Sequence, residues 1–209
     1  EVLGESVGLL SPDLCGPLYE RIEAETGGMA MFMNGALGGM ITADNRTESG
    51  RSERTWEERV RIGTALADET LRILDENAIE VANPTLRVAA EEVVFKVDSK
   101  MIQAIVENSP LGVELGEGNT YPIRVNLANL GPAQIITIPG EALPNIGFYL
   151  KRKMPTGYPF LFGCTNEAVG YLMVKEDWRS YERYNYISLT SLGEYAGETF
   201  IEAALGLIE

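Results

Sequence analysis

Two segments place polar side chains where chemistry is usually done. The apolar run Ile135 to Ile138 breaks at Pro139-Gly140 and is followed at once by Glu141. The run Pro159 to Phe162 breaks at Gly163 and leads through Asn166 to Gly170-Tyr171, with a tyrosine-rich tract ending at Tyr184 further on. Two strands that each end in a glycine-containing loop bearing a polar residue form the layout of an α/β active-site rim. A third candidate is the glycine-rich loop from Asn34 to Asp44. Its backbone N–H groups can cradle an anion, but it lacks the Lys-Ser/Thr of a phosphate-binding loop, and no G-x-G-x-x-G follows. Plainer readings stand beside these. Glu141 suits the first turn of a helix, opposing the macrodipole; Tyr171 suits a half-buried strand; Asn166 suits a turn.

The chemistry open to these residues is narrowed by one count. Among 209 residues there is no histidine, so a self-contained Ser-His-Asp triad, a Cys-His dyad or a histidine zinc cage is excluded within them. Acid–base or metal chemistry must use carboxylates, Tyr, Lys or Arg, or borrow groups from elsewhere. Seventeen Lys+Arg against 31 Asp+Glu give a net charge of −14, which excludes the cationic footprint that nucleic acid requires. No apolar run approaches the roughly 18–20 residues of a membrane span. No basic leader pattern opens the chain. Cys15 and Cys164 lie far apart and form no C-x-x-C motif; they read as buried free thiols, with a single disulfide as the alternative.

The elements that must position these residues follow from periodicity. Ser11-Pro12-Asp13 predicts a helix start, with Ser11 as N-cap, and Leu14, Leu18 and Ile22 repeat at helical spacing down to Gly27-Gly28. Met29 to Met33 reads as a short buried strand. Thr55 to Ala78 is the clearest helix, its core stripe being Trp56, Val60, Gly63, Ala67, Leu71, Leu74 and Ala78. Leu86 to Val97 predicts a strand, Lys100 to Val106 a short helix, and Pro122–Leu130 with Ala133–Ile138 a hairpin across Gly131-Pro132. Glu141 to Lys153 and Leu192 to Leu207 predict two further helices, the second with Phe200, Ala204 and Leu207 on one side. Strands and helices thus alternate, with at least one antiparallel pair. The expected fold is α/β, a mixed β-sheet flanked by helices, in one domain over residues 1–209 or as part of a larger α/β catalytic domain.

Taken together, Ile138-Pro-Gly-Glu141, Asn166-x-x-x-Gly170-Tyr171 and the tract ending Glu182-Arg183-Tyr184 resemble the neutral/alkaline ceramidases, zinc amidohydrolases that cleave the N-acyl bond of ceramides. The resemblance runs from the loop after Asn34 to about Leu192. It implies that Glu141 and Tyr171, thirty positions apart, are zinc ligands. It implies that Tyr184 steadies the tetrahedral intermediate, with Tyr181, followed by Glu182, competing for that role. It makes Asn34, Gly38 and Asn166 binding-loop residues, with the glycine loop bringing its backbone close beneath the metal. The chemistry suits the residue types: a carboxylate is a hard zinc ligand, a Tyr oxygen becomes one when the metal lowers its pKa, and water activated on zinc serves as nucleophile.

Two departures accompany the resemblance. The family's zinc also takes two histidines, and none is present; the chain thus reads as the C-terminal part of a catalytic domain whose histidine-bearing N-terminal part is required elsewhere, leaving its zinc site incomplete. The family's Gly-Asp-x-Ser-Pro block carries a catalytic serine, and here Ile41 stands in its place and Gly39 in that of the Asp. The resemblance therefore implies a zinc-dependent hydrolase of N-acyl amide or related acyl bonds, acting on a small or lipid-like acyl substrate, in a family frequently secreted or membrane-associated. The alternative is a ceramidase-like domain that has lost the reaction and kept a binding or regulatory role.

Overall fold

The computed structural model describes residues 2–4, 8–40, 42–180, 182 and 185–208. The chain falls into two compact units, residues 1–32 with 41–81, and residues 33–40 with 82–209.

The first unit is a helix pair, α1 (Cys15–Thr26) and α2 (Trp56–Asn77). Helix α1 begins later than its sequence signals suggest. Asp13 takes a left-handed conformation (φ 50°), which no helix tolerates, so Ser11 serves a turn instead and its Oγ accepts the Asp13 amide at 3.0 Å. The Asp13 carboxylate accepts the backbone N–H groups of Val2 (2.9 Å), Leu3 (3.1 Å) and Leu14 (2.6 Å), tying the preceding chain to the helix start. Helix α2 is capped by Thr55, whose hydroxyl accepts the Glu58 amide at 3.1 Å. The core between the two is small: Leu18, Ile22 and Ala67, with Tyr19, Ala30 and Leu71 against them. The expected stripe on α2 is buried only around Gly63 and Ala67, while Trp56, Val60 and Leu74 are exposed. A single small helix offers too little area to cover a stripe of that length.

Met29 to Met33 is not a buried strand. Met29 is 92 % exposed and Met31 77 %. The Ala30 amide is taken by the Glu23 carboxylate and the Phe32 amide by the Tyr19 hydroxyl, so side chains of α1 supply the partners that a neighbouring strand would have supplied.

The second unit holds a four-stranded sheet in the order β1 (Leu86–Lys96), β2 (Thr120–Leu130), β3 (Ala133–Thr137), β5 (Tyr158–Phe162). β1–β2 and β2–β3 are antiparallel and β3–β5 is parallel, so the mixed sheet stands as expected. The hairpin is the one read from Gly131-Pro132, with Leu130 opposite Ala133. Between β1 and β2 lies α3 (Lys100–Glu107), with Ser99 as N-cap. Between the paired β3 and β5 lie the two-residue strand β4 (Glu141–Ala142) and α4 (Pro144–Lys153); β6 (Tyr171–Leu172), a 3-10 turn (Lys175–Asp177), α5 (Asn185–Leu189) and α6 (Ala196–Ile208) complete the chain.

Helices α4 and α6 pack on one face of the sheet. Ile146 and Leu150 of α4, and Phe200, Ala204 and Ile208 of α6, join Phe95, Val125, Leu127, Ile136 and Leu161 in one buried core. Residue alternation puts the cross-strand row Val88, Ala128, Ile135, Phe160 on the opposite face. There Val88 is 66 % and Phe160 46 % exposed. Two expected helices are shorter than their periodicity suggested. Glu141 lies in a strand rather than a first helical turn, since Leu143 is the N-cap and Pro144 the first helical residue. Leu192 lies outside α6, because its carbonyl accepts the Asp98 and Ser99 amides (2.8 and 3.1 Å).

Candidate functional site

The site is built by two parallel strands that leave the sheet and meet again. β3 and β5 run side by side to Thr137 and Phe162, and the Ile138 amide donates to the Phe162 carbonyl at 2.7 Å. Each chain then loops outward, one through Pro139-Gly140 and the other through Gly163 to Gly170. The loops are sewn together: Thr165 N–H donates to Ile138 (3.0 Å), Val169 N–H to Pro139 (3.0 Å) and Cys164 N–H to Gly140 (3.2 Å). They rejoin as the parallel pair β4–β6, in which Glu141 is the register partner of Tyr171 and Ala142 of Leu172. Glu141 N–H donates to Gly170 and Leu143 N–H to Leu172. Residues thirty positions apart in sequence are thereby neighbours, and Ala142 and Leu172, both fully buried, anchor the pair from below.

Two glycines allow this closeness. Gly170 has φ 88°, and a β-carbon there would run into the Thr190 carbonyl, which accepts the Tyr171 amide at 3.1 Å. Gly38 donates its N–H to the Ala142 carbonyl at 2.8 Å. A β-carbon on Gly38 would sit 2.5 Å from the Glu141 carbonyl and 2.7 Å from that of Ala142. The glycine loop after Asn34 thus passes directly against the backbone that carries Glu141. Asn34 itself meets the other loop, its carbonyl accepting the Gly163 amide at 2.8 Å. Its side chain is exposed, as is that of Asn166, which adopts φ 71° and turns the loop ahead of Tyr171.

Burial, and then the Glu141 charge, push the Tyr171 hydroxyl above its ordinary pKa. Its ring stands edge-on to that of Tyr186, with centroids 5.9 Å apart and planes at 83°. Burial, and then the Glu141 charge, also push the Cys164 thiol up. Cys15 and Cys164 are both free, and Cys164 is exposed rather than buried.

Among the described residues, Tyr186 joins the site without having been singled out by sequence. It belongs to the tyrosine tract whose other members, Tyr181 and Tyr184, were the candidates; both of these lie outside the described residues, as does Ile41. The signal for Tyr186 is only its membership of that tract; its place beside Tyr171 depends on where α5 begins.

The donor set explains what the arrangement can hold. Glu141 and Tyr171 offer a carboxylate and a phenol oxygen side by side, whereas a catalytic zinc takes three protein ligands and a structural one four. Among the described residues no group of three or more His, Cys, Asp or Glu side chains is placed to hold a metal ion. The pair fits part of a zinc site. No helix of the described residues is long and apolar enough to cross a membrane.

No family model matches the chain, and no curated protein matches it. Solved structures do. The neutral ceramidase of Pseudomonas aeruginosa superimposes with a TM-score of 0.64 over 95 % of this chain and 41 % of its own, at 15 % identity. A structure described as ceramidase complexed with C2 gives a TM-score of 0.64 over 96 % of this chain and 44 % of its own, at 14 % identity. The chain therefore has a ceramidase-like α/β fold. It spans less than half the length of the ceramidase chains it matches.

Proposed function

We propose that this chain forms part of the active centre of a ceramidase-like, zinc-dependent hydrolase of N-acyl amide or related acyl bonds. The observation that carries the reading is the β4–β6 pair, which sets Glu141 and Tyr171 in register at the end of two parallel strands. Glu141 and Tyr171 would hold zinc through one carboxylate and one phenolate oxygen, the remaining ligands coming from outside these 209 residues. Bound zinc would supply polarisation of the acyl carbonyl and activation of a water.

The chain's own groups do the rest. Glu141 fixes negative charge beside the Tyr171 hydroxyl, so that oxygen deprotonates only when a cation offsets the carboxylate and the burial. Tyr186, half exposed and edge-on to Tyr171, presents an O–H donor for charge developing on a carbonyl oxygen. Tyr184, which the family resemblance favours for that role, lies in the same tract.

A second reading, a scaffold that kept the fold and lost the reaction, draws on the two-donor set and on Ile41 in the serine position. Zinc per chain, measured with the polypeptide that supplies the remaining ligands present, on the wild type and on its Glu141→Ala and Tyr171→Phe variants, separates the two. About one zinc per chain, lost in both variants, supports the hydrolase. No zinc in any form, with N-acyl amides left intact, supports the scaffold.

A further inference from the structure

A cavity of about 310 Å³ lies beside the site but is not lined by Glu141 or Tyr171. Its walls are apolar: Ile102, Ile105 and Val106 from α3, Leu115 from the following loop, with Val97 and Leu192 as floor. Its volume is about twice that of an engineered apolar cavity, roughly 150 Å³, that takes up benzene. It also reaches the roughly 300 Å³ at which small-molecule sites begin. Its polar lining is sparse, and among the described lining residues Glu167 alone is charged. Among the described residues nothing donates a hydrogen bond to, or pairs with, that carboxylate. Tyr121, also in the lining, is half-buried, and burial and the Glu167 charge push its hydroxyl up, so it stays a neutral donor and acceptor.

Apolar walls with one unpaired carboxylate at the edge select an apolar body that ends in a cation. We propose that this cavity binds a single-chain alkyl amine, its tail among Ile102, Val106 and Leu115 and its ammonium on the Glu167 carboxylate. A neutral alcohol of the same length would keep the tail contacts and lose the ion pair; a carboxylate would meet Glu167 as a like charge. The cavity also backs onto the candidate site. Gly170 and Thr190 line it, and their carbonyls accept the Glu141 and Tyr171 amides. A bound amine therefore touches the backbone that sets the Glu141–Tyr171 pair. This inference stands on the cavity alone and not on zinc or hydrolysis.

The probe is n-octylamine, with n-octanol and octanoate as controls, titrated at pH 7 against the full chain by calorimetry and by methyl and amide NMR. An alkyl ammonium is charged there. Octylamine should bind about tenfold or more tightly than octanol, and octanoate weakest. Glu167→Gln should bring octylamine to the level of octanol, and Val106→Trp, which fills the cavity, should abolish binding of both. Resonances of Ile102, Val106, Gly170 and Tyr171 should shift. Equal affinity for the three probes, an unchanged amine preference in Glu167→Gln, or shifts confined to other residues would each overturn the proposal. Because Glu167 is a half-exposed loop residue, its variant tests recognition without disturbing the core.

Discussion

Replacing Gly170 with alanine tests whether the backbone of one loop sets the Glu141–Tyr171 pair. Two costs add at this position. A side chain at φ 88° forces a non-glycine residue into the left-handed region, at about 1–2 kcal/mol. The new β-carbon also collides with the Thr190 carbonyl, so that carbonyl must move and its bond to Tyr171 must lengthen, adding about 1–2 kcal/mol. The sum is about 3 kcal/mol. Gly118 is the control, since it has φ 70° and nothing within 4 Å of an added β-carbon; alanine there carries only the conformational cost, about 1 kcal/mol. The chain's two tryptophans make the assay specific, as Trp56 lies in the first unit and Trp178 in the second. In a Trp56→Phe background, urea unfolding followed by fluorescence reports on the second unit. With a slope of about 2 kcal/mol per M, Gly170→Ala should lower the midpoint by about 1.5 M and Gly118→Ala by about 0.5 M. Equal shifts in the two variants would refute the collision argument. It would mean that the loop yields freely and that Thr190 does not hold Tyr171 in register.

Three further outcomes follow from local geometry. Glu141→Gln removes the charge that, after burial, raises the Tyr171 hydroxyl, so ultraviolet titration of tyrosines should show one hydroxyl moving to lower pH; an unchanged curve would show that the two side chains do not interact. The Asp13 carboxylate is opposed by burial, but three backbone N–H donors outweigh it and hold its pKa low. A depressed carboxylate contributes stability that is present above its unfolded pKa and lost as pH falls through the folded one, so the first unit should weaken below about pH 4. Asp13→Asn should cost about 1–2 kcal/mol at pH 7 and flatten that acid dependence, both followed through Trp56. Thr55→Ala removes the acceptor of the Glu58 amide and should cost about 1 kcal/mol, read by the same probe; no loss there would mean that the start of α2 frays already.

What the sequence made legible was what repeats. The hairpin at Gly131-Pro132 was readable because both strands alternate and the turn residues are explicit, and α2 because twenty-two residues keep one period. Around Glu141 and Tyr171 the two loops were readable and their local structure was not. Pro-Gly-Glu suggested a helix start at Glu141, but a two-residue strand has no period to detect, and β4 exists only because Gly170 and Leu172 offer carbonyls to it. Met29 to Met33 failed for the converse reason. An apolar run bounded by glycines has strand composition, yet a strand requires a partner edge, and the Tyr19 and Glu23 side chains took those amides first. Tyr186 could not be singled out from its neighbours, since tyrosines two to five positions apart in one tract differ only in where the chain turns.

The way the site is assembled bears on how it could lose or keep a reaction. Glu141 and Tyr171 owe their register to main-chain bonds among Ile138 to Leu143, Gly163 to Leu172 and Gly38, rather than to side chains that position them. Backbone scaffolding of this kind survives substitution of the residues around it, provided the glycines at close approaches remain. Whether such a pair serves a working hydrolase or a retired one depends on what else it recruits. The discriminating quantity is occupancy. A site that functions must recruit enough further donors to overcome the cost of ionising a half-buried phenol beside a carboxylate, and zinc retained through dialysis by the wild type, but not by Tyr171→Phe, would show that it does.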